Sequence, residues 1–167
     1  INEGQVSLLR PHKYGIKDVG IQIYPASWGK NLIITEGEFK AVAAAQLGFD
    51  AIALPGVGSF SGEHFPELVK LLNDHQVKDI CIIFDSEDKV TPGQPRHKAN
   101  PSQRYDTEYY SYLMAYLLER EGKTVKIGRL PASWRVDYKI DIDGALAQGK
   151  TADDIKGVIA SALSAKD

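Results

Sequence analysis

Apolar and polar positions along the chain alternate between short β-branched runs and longer segments with helical spacing. LIIT (32–35) is a continuous apolar run too short for a helix, which predicts a buried strand. EFKAVAAAQL (38–47) has high helix propensity, and Gly48 stands where a helix-closing C′ residue belongs. AIAL (51–54) predicts a second strand, followed by the Gly/Ser loop PGVGSFSG (55–62). Leu68, Leu71 and Leu72 recur at helical spacing and predict a helix over about 65–75. DICIIF (79–84) is the most strand-like stretch of the chain and runs into DSED. After a long loop, Asn100-Pro101 reads as the N-cap and first residue of a helix that reaches about Glu121, with Gly122 as its stop. TVKIGRL (124–130) predicts a fourth strand. Thr151 then caps a final helix over 151–167, with Asp154 as the capping-box acid.

Strand and helix in strict alternation predict an α/β fold, an open, doubly wound, mostly parallel sheet with about four core strands and helices on both faces. The core is expected over 31–150. Residues 1–30 form an N-terminal extension in which VGIQIYP (19–25) is a candidate added strand. Open parallel sheets bind ligands beyond the carboxyl ends of their strands. Glu36 lies just past the first strand and Asp85 just past the third, so both are expected at that edge.

Composition narrows the function classes. The chain has 167 residues, 43% hydrophobic and 25% charged, enough for one domain with a sizeable core. Its net charge of −2 makes it no polycation, so nucleic-acid contact must come from a local patch. No apolar run is long enough for a membrane span and no signal peptide is visible, which predicts no membrane partner. Cys81, the single cysteine, excludes an internal disulfide and reads as a buried, inert thiol of a cytoplasmic protein. A start at Ile1 suggests a piece of a longer protein.

The acids at the predicted strand ends carry the candidate chemistry. They are Glu36 and Glu38 after the first strand, then Asp85, Glu87 and Asp88 after the third. Carboxylates gathered at one edge repel one another unless a cation sits among them, and hard oxygen ligands suit Mg²⁺ or Mn²⁺. The alternative is a set of solvated turn residues and helix N-terminal acids. Gly56 and Gly58 let backbone N–H groups approach a phosphate closely, or serve a plain turn. Lys40, near the start of the first helix, could meet a phosphate as a point charge. The loop 89–105 holds Lys89, Arg96, Lys98 and Arg104 without an acid, which suits a polyanionic substrate or serves as a plain solvated loop. The tyrosines at 109 and 116 join Leu113 and Leu117 in a predicted helical core stripe.

The order TEGE after the first strand, a glycine-rich turn after the second and FDSED after the third resembles a Toprim domain. The similarity is closest to Toprim domains of phage-type primase-helicases and of plasmid and mobile-element replication proteins, where EGEFKA-like segments and a later LP…K…D…D stretch recur. Here that stretch is LPASWRVDYKIDIDGAL, with Lys139, Asp141 and Asp143. The resemblance spans roughly 30–150. It implies a general acid/base role for Glu36 and a metal-binding role for Asp85 and Glu87, with Glu36 as a further ligand of the same Mg²⁺. Glu38, Asp88 and Asp141 are further candidate ligands. Here D-S-E replaces the family's D-x-D. The function so implied is Mg²⁺-dependent nucleotidyl transfer by a DNA primase or primase-helicase. Its partners would be a single-stranded DNA template, nucleoside triphosphates and other domains of a larger replication protein. A Toprim nuclease and a non-catalytic nucleic-acid-binding or docking module are the alternatives.

Overall fold

The computed structural model describes residues 22–23, 28, 32–56, 64–87 and 107–166. Strands β1 (Gln22–Ile23), β2 (Leu32–Glu36), β3 (Ala51–Leu54), β4 (Asp79–Ile82), β6 (Thr124–Ile127) and β8 (Leu163–Ser164) form one sheet in the order β1-β3-β2-β4-β6-β8. The four inner strands are parallel, and β1 and β8 close the two edges antiparallel. Two further strands, β5 (Ser86–Glu87) and β7 (Lys139–Ile140), pair as a separate antiparallel ribbon.

Strands β2, β3 and β4 are buried on both faces and read as nearly unbroken apolar runs, whereas β6 alternates exposed Thr124 and Lys126 with buried Val125 and Ile127. Alternation sends Leu32, Ile34, Ile52, Leu54, Ile80 and Ile82 to one face, where Leu68 and Leu72 of α2 (His64–Asp74) and Met114 and Leu118 of α3 (Thr107–Arg120) cover them. Ile33, Ala51, Ala53 and Cys81 point to the other face. There they meet Ala41 and Ala44 of α1 (Glu38–Gln46), Ala145 of α4 (Ile142–Ala147) and Ile155 and Val158 of α5 (Ala152–Ala160). The alanines of α1 let it sit close on the sheet.

The connections define a switch point. From β2 the chain passes through α1 to β3 on one side, then returns through α2 to β4 on the other side of β2. The strand order therefore reverses between β2 and β4, the position at which open α/β sheets form a crevice at their carboxyl edge.

Four expectations need correction, the first being that the strand expected over 124–130 ends at Ile127. Tyr109 and Tyr116 are 58% and 54% exposed and are not part of a core stripe. The inward positions of α3 are Ser111, Met114, Ala115 and Leu118, with Leu113 and Leu117 flanking. Ser111 and Ala115 are small enough to bring the helix onto the sheet, whereas a tyrosine hydroxyl needs a polar partner. Helix α5 does not run through 151–167 but ends at Ala160, and Leu163 pairs with Ile127 at the sheet edge. The third strand stops at Ile82, although Ile83 and Phe84 remain buried beyond it. The predicted start of the third helix at Asn100-Pro101 lies outside the described residues.

Candidate active site

At the carboxyl edge, β2 turns into α1 through Gly37, whose φ of 83° favours glycine. The Gly37 N–H donates to Leu54 O at 2.8 Å, so the end of β2 stays pinned to β3 as the chain turns. The first turn of α1 carries Lys40 back over the strand end. Its Nζ lies 2.9 Å from Glu36 Oε2, four residues earlier, and 2.8 Å from Asp85 Oδ1, just past β4. One ammonium thus joins the ends of the two strands that flank the switch point.

Asp85 is only 6% exposed at its side chain and Lys40 13%. The Lys40 ammonium is thus the charge partner of a buried Asp85 oxygen. The main chain here is firmly held. Thr107 Oγ1, at the start of α3, donates to Asp85 O at 2.9 Å, and Arg135 donates Nε and Nη2 to Ser86 Oγ at 3.2 and 3.0 Å.

The β5–β7 ribbon brings the late segment of the chain to the same edge, with Glu87 opposite Lys139. Lys139 Nζ stands 3.5 Å from Asp85 Oδ2 and 3.6 Å from Asp141 Oδ2. Asp141 is the N-cap of α4 and accepts the Gly144 N–H at 2.9 Å. The result is a chain of alternating charge, Glu36–Lys40–Asp85–Lys139–Asp141.

Burial pushes the Asp85 carboxyl above its usual range, against the opposing pull of Lys40. Burial also disfavours the Lys40 charge, but Asp85 and Glu36 outweigh it and raise the pKa of that ammonium. Lys139 is likewise raised by Asp85 and Asp141 against partial burial. Burial works against Asp141, yet the Gly144 N–H and its neighbours hold it below the ordinary value. Asp143 is raised by burial and by Asp141 beside it.

The predicted site residues separate clearly. Glu36, Lys40 and Asp85 are brought together, and Asp141 joins them through Lys139. Glu87 lies in the ribbon and Glu38 opens α1, where an acid suits the helix dipole. Gly56 follows β3. Gly58, Asp88, Lys89, Arg96, Lys98 and Arg104 lie outside the described residues. Among the described residues no three His, Cys, Asp or Glu side chains gather closely enough to hold a metal. Magnesium does not require three, because it keeps several waters and takes one or two carboxylates together with substrate phosphates. The buried Asp85 carboxylate and the facing Glu36 carboxylate fit that requirement, at the place now held by the Lys40 ammonium. Thr107 and Arg135 support the strand end without any sequence signal, since both act through tertiary contacts.

The remaining unexplained residues find structural roles. Trp28 stacks on His75 with ring centroids 3.7 Å apart, and Lys150 lies 4.8 Å over the Trp134 ring. No helix among the described residues is long and apolar enough to cross a membrane.

A family model described as a domain of unknown function, DUF3854, matches residues 26–137, which include β2, α1, β4 and the whole Glu36–Lys40–Asp85 contact. No curated protein and no solved structure matches the chain.

Proposed function

The chain belongs to the DUF3854 family, and from that premise we propose that this member is a Toprim-like catalytic domain that performs metal-dependent nucleotidyl transfer on nucleic acid, as in a DNA primase or primase-helicase. The observation that carries the reading is the meeting of Glu36 and Asp85 on one cation position at the switch point of the sheet.

Glu36 and Asp85 would hold Mg²⁺ or Mn²⁺, which when bound supplies charge neutralisation and orientation for a triphosphate. Asp85 suits this role because it is buried, fixed at its backbone by Thr107 and already the partner of a cation. Glu36 is the more open of the two carboxylates, at 30% exposure, and can exchange protons with solvent. It would accept the proton of the attacking hydroxyl as that oxygen bonds to the α-phosphorus and pyrophosphate leaves. Lys40 and Lys139 supply positive charge beside the phosphates.

The test is to incubate the protein with a labelled single strand, nucleoside triphosphates and Mn²⁺. Products longer than the input support nucleotidyl transfer. Shorter products assign the same acids to a nuclease. Neither product, together with strand binding that persists in Glu36→Ala without metal, replaces both by a non-catalytic binding module.

A further inference from the structure

We infer that Lys40 is an exchangeable internal cation: it occupies the metal position while the site is empty, and the site takes up a divalent ion together with a polyphosphate rather than the free ion. The inference rests on the metal-dependent phosphoryl-transfer reading above and adds the order and coupling of ligand binding.

Three observations lead there. First, the Lys40 ammonium lies 2.9 Å from Glu36 Oε2 and 2.8 Å from Asp85 Oδ1, so both proposed ligands already have a counterion. A divalent ion that arrives alone must displace this charge and leave it next to itself. Such competition weakens binding by the fraction of molecules in which the competent state is populated. Second, the Asp85 side chain is only 6% exposed and its Oδ1 meets the Lys40 ammonium at 2.8 Å, so this buried oxygen is held by a cation. A hard divalent ion meets the same requirement by direct carboxylate ligation. Third, among the described residues the Lys40 ammonium is held by these two carboxylates. It sits on a four-carbon stem in the first turn of α1, so its head can swing while its backbone stays in the helix.

A triphosphate resolves the conflict. Its oxygens offer the displaced ammonium a new anionic partner while they complete the coordination of the metal. Lys139, which touches Asp85 Oδ2 and Asp141 at 3.5 and 3.6 Å, holds a second positive charge on the same edge. Each ligand thus lowers the cost of binding the other, as linkage requires.

The experiment is a Mn²⁺ titration of the wild-type protein and of Lys40→Met, followed by electron paramagnetic resonance of free Mn²⁺. It is run with and without a saturating non-hydrolysable nucleoside triphosphate, whose own Mn²⁺ affinity is measured separately. Without nucleotide, Lys40→Met is expected to bind Mn²⁺ about tenfold more tightly than the wild type, since the competing ammonium is gone. With Mn²⁺ present, the same variant is expected to bind a fluorescent triphosphate about tenfold more weakly. In the wild type, which avoids any folding defect of the variant, nucleotide is expected to tighten Mn²⁺ binding beyond what the solution complex explains. Equal Mn²⁺ affinity in wild type and variant, with nucleotide binding intact, overturns the exchange while leaving the metal-dependent reading in place. Wild-type Mn²⁺ binding that nucleotide does not tighten overturns it as well. Absence of Mn²⁺ binding in both proteins, with and without nucleotide, removes the functional reading itself and this inference with it.

Discussion

Lys139 Nζ lies 3.5 Å from Asp85 Oδ2, although 54 residues separate the two in sequence. The contact closes the late β7 segment over the strand end that carries the candidate site. Because Lys139 is 39% exposed and the separation is long, its energetic weight is small. Lys139→Met is expected to change the urea unfolding free energy by less than about 1 kcal/mol. Affinity for a triphosphate should fall nonetheless, which fluorescence titration would read.

Lys40→Met is the contrasting case. Its loss leaves Asp85 and Glu36 without their shared counterion, and breaking such a buried pair costs about 3 kcal/mol at neutral pH. With a domain stability of roughly 5–15 kcal/mol, the variant remains folded. The cost depends on pH with a definite sign. Asp85 has a folded pKa above its unfolded one, so between those values the folded state binds more protons and stability falls as pH rises. Without Lys40 that window extends upward. The deficit of the variant should therefore shrink as pH is lowered toward the ordinary carboxylate range, as urea titrations at several pH values would reveal.

Asp85→Asn is expected to abolish Mn²⁺ binding and any nucleotidyl transfer while leaving the far-ultraviolet circular dichroism unchanged. The neutral amide avoids the burial penalty of the carboxylate, so stability should no longer decline with pH in the window above. Loss of the helical spectrum would instead make Asp85 a structural residue.

Gly128 predicts a packing defect on the opposite face. A Cβ there would stand 3.1 Å from Cys81 Sγ and from Ile83 Cγ1, and 3.3 Å from Val158 Cγ1. Gly128→Ala should destabilise by about 1–3 kcal/mol through overpacking. Adding Cys81→Ala should recover part of the loss, a coupling that a double-mutant cycle measures. Burial also pushes the Cys81 thiol up to about 11, so iodoacetamide should modify it only after unfolding.

At the start of α5, Thr151 and Asp154 form a reciprocal capping box. Thr151→Ala should cost about 1 kcal/mol in chemical denaturation, and Thr151→Ser should retain most of it. The Thr151 N–H and hydroxyl hold the Asp154 carboxyl below its ordinary value, so its contribution is present above that value and lost on acidification.

That capping box was legible in the sequence, as were the four inner strands, the first helix and the glycines that end it and α3. Each depends on neighbours within a few residues. Glycines 48 and 122 indeed have φ of 88° and 78°. The two-residue strands β5, β7 and β8 were not legible, because so short a segment has no periodicity and is defined by its partner. The tyrosines of α3 misled because they share helical spacing with Leu113 and Leu117, whereas the sheet selected the smaller Ser111 and Ala115. For the candidate site, position along the sheet edge followed from strand order, but the identity of its cation did not. Glu36 and Lys40 are visibly four apart, yet a strand end separates them from a helix, and the link to Asp85 exists only in three dimensions.

The pairing of β1 and β8 with the two outermost parallel strands has a consequence for how copies of this domain behave together. Each is two residues long and runs against its neighbour, so among the described residues each margin of the sheet offers an incoming strand a brief ladder of unpaired backbone groups. Removing β8 would bare the full length of β6, a β-branched strand ready for intermolecular pairing. The small antiparallel closures thus act as guards against self-association at the two sides of the sheet.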